Sequence, residues 1–326
     1  MKPGGEPFVY SCVIVFVISI AYIFILLYCP KSSIYLLHQD ENAIERSIIT
    51  GTDASSYINY PDKDSLRTVG YPYILKFFML FKNWVILLLI FNCAVASWMF
   101  YVTYQLIGAK AWIMLALGSF VLYTPFFLTD LLFASIFVTA MWQINKRLWL
   151  HFLLLGVASL IRPSLQWFFI IEPAVLYFYG YRGKIVYLSF VIVFAATCFN
   201  SVRNFINHGI WVDSIVLHFN LTADRYIGGA ESKIMYAIKA FISNILGSHY
   251  NFMGFMFNQY PNPPWRTISL VVLAINIGIW IRFGIRFLER KVNWGNILIL
   301  IYFIGPTLLA SNGGRMRLPI EWILLI

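Results

Sequence analysis

Residues 8–29 read FVYSCVIVFVISIAYIFILLYC, an apolar run without a charged residue. A helix rises ~1.5 Å per residue, so a run of this length covers the ~30 Å hydrocarbon core of a bilayer. It is too long for the core of a signal peptide. Pro30-Lys31-Ser32-Ser33 follows it where a cleaved leader would carry small residues. The run reads as a retained membrane span.

Further apolar runs occupy 83–107, 111–128, 131–145, 148–161, 165–181, 185–202, 266–288, 294–311 and 319–326. The composition agrees with this pattern. Of 326 residues, 60% are apolar, 18% aromatic and 12% charged, whereas soluble domains are about 45–50% apolar and about 25% charged. A soluble core cannot bury that excess. An ordinary cytosolic enzyme, a disordered chain and a disulfide scaffold are excluded. The expected fold is an all-α polytopic membrane protein, one domain over 1–326, with roughly nine to ten spans. Two long outer loops interrupt it, 31–82 and 203–264. The pair 111–128 and 131–145 reads as one re-entrant hairpin or as two tilted spans. Residues 70–82 (GYPYILKFFMLFK) and 231–246 (ESKIMYAIKAFISNIL) read as helices lying along the interface.

The net charge of +10 follows this topology. With the N-terminus in the cytoplasm, the inner turns carry Lys110, Lys146-Arg147, Arg182 with Lys184, and Arg290-Lys291. That is the positive-inside pattern, so the basic balance reads as orientation and no nucleic-acid partner is expected. Cys12, Cys29, Cys93 and Cys198 lie in apolar runs without CxxC spacing and read as packing residues.

The outer side carries a different set. The first outer loop holds Asp53 and Tyr57, then Arg67-Thr68-Val69-Gly70-Tyr71-Pro72. Asp130 heads a span, Arg162-Pro163 ends one, Arg203-Asn204 opens the long loop, and Arg315-Met316-Arg317 precedes the last run. Two carboxylates and five arginines are thus expected at one interface. Any single arginine there is best read as an anchor in the headgroup region. The whole set, on the side where positive charge is avoided, reads as a phosphate site, because the guanidinium fork suits phosphate. A carboxylate beside it can accept a proton from an attacking hydroxyl or amine. Alternatively Asp53 and Asp130 could hold a divalent metal that neutralises a leaving phosphate.

This ordered series resembles the GT-C membrane glycosyltransferases: Asp53 then Tyr57, Arg67-x-x-Gly70-Tyr71-Pro72, Arg162-Pro163, Arg203-Asn204, Arg315-x-Arg317-x-Pro319. Within them it is most similar to the branch of protein O-mannosyltransferases and the transferase that adds aminoarabinose to lipid A. The resemblance implies a GT-C-type helix bundle. It implies an inverting transfer from a polyprenyl-phosphate sugar donor to a lipid, glycan or protein acceptor. The setting it implies is the periplasmic face of a bacterial inner membrane, in cell-envelope or lipopolysaccharide chemistry. It implies Asp53 as catalytic residue with Asp130 joining it. Arg67, Arg203, Arg315 and Arg317 would contact the donor phosphate and headgroup, with Arg162 in the same set. Tyr57 and Tyr71 would line the sugar pocket. Many relatives carry Asp-Glu in the first loop where this chain has Asp53-Ala54, which sets it apart from the protein O-mannosyltransferases in particular. Relatives also continue beyond a last run such as 319–326, so a fragment, a minimal member or a chain needing a partner is expected.

Other polar residues have plainer readings. Asp62 and Asp64 lie near Asp53 as rival acids, and read rather as solvated loop charges. Glu321 is expected to pair with Arg315 or Arg317. His38, His208, His218 and His249 lack metal-ligand spacing, and His151 is expected near the inner interface. Asn220-Leu221-Thr222 matches a glycosylation sequon. Glu172 lies inside an apolar run and is either a proton-relay residue or a protonated packing residue. The relay reading supports a rival function, a transporter or flippase of polyprenyl-linked sugars. A non-catalytic assembly subunit is the second rival.

Overall fold

The computed structural model describes residues 5–28, 68–125, 129–165, 167–209, 242, 245–246, 265–307 and 317–326. Among these the regular elements are helices. They are α1 (Gly5–Tyr28), α2 (Gly70–Met79), α3 (Trp84–Ile107), α4 (Ala111–Ala116), α5 (Thr129–Gln143) and α6 (Leu148–Ile161). There follow α7 (Glu172–Phe178), α8 (Lys184–His208), α9 (Trp265–Leu288), α10 (Trp294–Thr307) and α11 (Glu321–Leu325).

Three helical stretches among the described residues are long and apolar enough to cross a membrane: Trp84–Ala116, Lys184–Asn207 and Leu270–Leu288. Val9–Ile25, Leu148–Ile161 and Trp294–Ile304 are apolar but shorter. The long helices expose large apolar side chains, among them Tyr187, Val191 and Phe199 on α8 and Leu270, Val271 and Ile281 on α9. Contiguous apolar exposure of that kind calls for a non-aqueous neighbour.

Several runs counted as spans do not form one long helix. The run 111–128 stops after α4, where Gly118 takes φ 83°. Gly118 N–H donates to Leu115 and Ser119 N–H to Met114, a Schellman closure that ends the helix. The run 165–181 holds only a short 3-10 turn and the seven-residue α7, with Pro173 at its start. Both segments bury polar groups, Ser119 and Thr124 in the first and Glu172 in the second. The first packs mostly against protein, whereas the second also exposes Trp167, Ile170, Tyr177 and Phe178.

α5 is the centre of the bundle. Nearly all of it is buried, and it packs between α3 and α6. α8 lies along the far side of α6, and α10 packs on α7. Phe303 of α10 reaches α5, with its ring 4.9 Å from that of Phe137. α2 is one-sided, burying Tyr71, Pro72 and Leu75 while exposing Tyr73, Phe77 and Leu80.

The basic turns share one end of the bundle. Tyr181 donates its hydroxyl to the carbonyl of Ile144, joining the α7–α8 turn to the α5–α6 turn. Asn293 donates to the carbonyl of Phe178 at 3.2 Å, which adds the α9–α10 turn. Lys110 lies near enough to Arg282 and Arg286 to feel their charge, which brings in the turn after α3. Lys146, Arg147, Arg182, Lys184, Arg290 and Lys291 therefore lie on one side, as the alternating topology requires.

Candidate functional site

The opposite end is organised around the C-terminus of α6. Pro163 bars Arg162 from continuing the helix, so Arg162 is extended, φ −140° and ψ 132°. Its guanidinium leaves the helix axis and donates to Asp130 in the first turn of α5. Asp130 is 1% exposed and Arg162 13%. A carboxylate at a helix N-terminus is favoured by the exposed N–H groups there, and the arginine supplies the counter-charge that burial demands. The Arg162 guanidinium also lies 5.8 Å from the ring centroid of Phe133.

Three further segments meet this end of α6. Gly70 of the Gly-Tyr-Pro motif sits against it so closely that an added Cβ would lie 2.9 Å from the carbonyl oxygen of Leu160. Asn200 of α8 donates to the carbonyl of Ser159 at 3.4 Å. Arg203 follows one turn later on α8 and donates to Asn204. Tyr302 of α10 donates its hydroxyl to the carbonyl of Ser164 at 2.8 Å. The structure thus gathers Gly70, Tyr71, Asp130, Arg162 and the Arg203 end of α8 around one helix terminus. Tyr71 is 1% exposed and belongs to the core.

Among the described residues, buried Thr68 Oγ1, Ser164 Oγ and Asn200 Oδ1 in these segments have no hydrogen-bond partner. Buried polar groups are nearly always paired, so a cluster of unpaired ones has the chemistry of a place for a polar ligand or water. Ser164 and Asn200 are not part of the sequence-predicted set. Their signals are adjacency to Arg162-Pro163 and a helical i, i+3 relation to Arg203, neither distinctive without the fold.

Arg317 is placed elsewhere. It is 3% exposed, with Nε 3.2 Å from Glu321 Oε1, and it donates to the carbonyl of Ile245. Trp280, well down α9, donates to that same carbonyl at 3.3 Å. Ser119 donates to the other oxygen of Glu321. The expected Glu321 pairing is present, and it stands beside α9. Asp53, Tyr57, Arg67 and Arg315 lie outside the described residues, as do Asp62, Asp64, His38, His218, His249, the Asn220 sequon and most of 231–246. Among the described residues no group of three His, Cys, Asp or Glu side chains converges as a metal site. Cys12, Cys93 and Cys198 are free thiols.

His151 lies in the first turn of α6, next to the basic end at which it is expected. It is fully buried, its Nε2 2.6 Å from Glu172 Oε1. Its Nδ1 lies 2.8 Å from the carbonyl of Ala140. α5 packs along α6, and α7 brings Glu172 to the buried histidine. No protein-family model, curated protein or solved structure matches the chain.

Proposed function

We propose that the chain is an inverting GT-C-type membrane glycosyltransferase with a polytopic bundle. It would transfer a sugar from a polyprenyl phosphate to a lipid, glycan or protein acceptor at the membrane face opposite the basic turns. One observation carries this reading. A buried Asp130–Arg162 pair stands at the same end as Thr68 Oγ1, Ser164 Oγ and Asn200 Oδ1, buried and without a partner among the described residues, with Arg203 one turn from Asn200. Gly70, Tyr71, Asp130, Arg162 and Arg203 of the resemblance meet at this end.

In this scheme Asp53 accepts the acceptor proton or orients the acceptor hydroxyl. Arg162 holds Asp130 charged and in place beside it. Arg67, Arg203 and Arg315 stabilise the departing phosphate. Arg317 braces its own segment through Glu321. Tyr57 and Tyr71 flank the sugar. No step requires the divalent metal that Asp53 and Asp130 could share.

The test is transfer by the purified chain in proteoliposomes, with radiolabelled polyprenyl-phosphate hexoses and pentoses and a lipid A or peptide acceptor. Asp53→Asn is expected to abolish transfer while the protein still inserts. Arg203→Gln is expected to raise the donor KM. Transfer unchanged in Asp53→Asn overturns the assignment. The transporter reading draws on Glu172, whose Oε2 is buried without a partner among the described residues. Donor translocation that survives Asp53→Asn and fails in Glu172→Gln would select it.

A further inference from the structure

The basic end carries a second site, independent of the transfer reaction. Between the C-terminus of α7, the C-terminus of α9 and the start of α10 lies a cavity of about 640 Å³. Its walls are Phe178, Phe287, Val292, Asn293 and Trp294, with Arg290 at the mouth. The aromatic rings form one wall: Phe287 and Trp294 meet edge to face at 5.6 Å, and Phe178 lies 6.4 Å from Trp294. All three remain partly open, 36% to 55% exposed.

Arg290 occupies an unusual backbone position. Its N–H donates to Phe287 and that of Lys291 donates to Arg286, both at 2.9 Å. These are the two bonds of a Schellman closure, whose left-handed residue is ordinarily glycine. Two other helices of this chain close the same way. Gly118 ends α4 and Gly180 ends α7, each with the same pair of bonds and positive φ. Only at α9, among these three, is the left-handed residue not glycine: Arg290 has φ 55°. A cation that merely oriented the chain would serve at any position of the turn. Strain accepted to keep a guanidinium at this one points to a use for it.

The neighbouring charges leave Arg290 available. Glu289 is engaged by Lys291 at 2.8 Å, and that ammonium, by hydrogen bond and charge, holds the Glu289 carboxyl below its ordinary range. Arg182 is turned to the carbonyls of Tyr177 and Tyr181 and lies over the Tyr177 ring. Asn293 is taken by Phe178 and Gly295. Lys110, Arg282 and Arg286 add positive charge at the same end.

We propose that this groove holds the headgroup of an anionic phospholipid, its phosphate on Arg290 and its glycerol and upper acyl carbons against Phe178, Phe287 and Trp294. The charge selects an anion, and the aromatic wall open to the apolar exterior selects one attached to acyl chains. Leu288, 80% exposed beside the mouth, continues the apolar path outward. The inference rests on the membrane placement of the helices.

The experiment compares lipid retention in nanodiscs of phosphatidylcholine with and without phosphatidylglycerol, read by native mass spectrometry and thermal unfolding. Wild type is expected to retain phosphatidylglycerol over phosphatidylcholine. Arg290→Gly is expected to lose about fivefold of that preference, while melting higher than wild type in pure phosphatidylcholine because glycine relieves the turn. Lys291→Ala removes the same charge from the same turn and is expected to keep most of the preference. Equal loss in Lys291→Ala and Arg290→Gly, or undiminished preference in Arg290→Gly, overturns the site. So does stabilisation by soluble glycerol phosphate equal to that by phosphatidylglycerol, which would make the ligand a free anion. Failure to enter pure phosphatidylcholine discs would instead count against the membrane placement and, with it, this proposal.

Discussion

Gly70 stands where no side chain fits: an added Cβ would lie 2.9 Å from the Leu160 carbonyl oxygen and 3.1 Å from an Ile161 carbon. Backbone cannot rotate away as a side chain can. Gly70→Ala is therefore expected to lower stability by about 1–3 kcal/mol in detergent unfolding. Gly278→Ala on α9, where nothing lies within 4 Å, is expected to be neutral or to gain about 0.5–1 kcal/mol. Equal effects at the two positions would refute the close approach. Removing the arginine from the Asp130–Arg162 pair takes a counter-charge from a buried carboxylate. Arg162→Ala is expected to lose about 3–5 kcal/mol, and Asp130→Leu with Arg162→Leu to recover most of it. A double-mutant cycle without coupling would exclude the pair. At Arg290 the left-handed backbone costs roughly 1–2 kcal/mol that glycine avoids, which is why its replacement separates stability from lipid preference.

At the scale of elements, α7 needs explanation, since seven residues form no stable helix in isolation. The His151–Glu172 contact anchors it. The carbonyl of Ala140 can only accept, so His151 Nδ1 must carry a proton. Nε2 then either accepts from a protonated Glu172 or donates as an imidazolium to its carboxylate, and one proton lies between the two. The pair ties α7 to α6, and through Ala140 to α5. His151→Ala is expected to lose about 1–3 kcal/mol by leaving buried groups unpaired. Glu172→Gln is expected to lose less, because its amide can still donate to Nε2. Chemical denaturation of both variants decides, and a larger loss in Glu172→Gln would show that an ion pair is required. The sequence marks Glu172 as a carboxylate in an apolar run. Its partner is 21 residues away, and nothing in the pattern of either run names it.

For the whole molecule the testable statement is the segregation of ends. With the four native cysteines replaced, single cysteines introduced at Lys146, Arg182 and Arg290 are expected to react with an impermeant maleimide from one side of the membrane. A cysteine at Ile206, 74% exposed near the end of α8, is expected to react from the other. Mixed labelling among the first three would break the topology. The order of apolar runs and basic turns makes this segregation readable in advance, since both are local properties of the chain.

Helical class, the alternation of ends and the break at Arg162-Pro163 follow from apolar run length, positive turns and proline stereochemistry, each of which acts within a few residues. The long runs 83–107, 185–202 and 266–288 did become long apolar helices. Hydropathy cannot separate a run that faces lipid from one enclosed by protein, because both environments exclude water. Packing alone decided that 111–125 and 165–181 break into short pieces and that α5 is central. Packing also chose the partners: Arg162 for Asp130, Glu172 for His151, Glu321 for Arg317. A charge buried far from water requires its opposite within hydrogen-bond reach, and for the first two pairs only the folding of distant segments together supplies it.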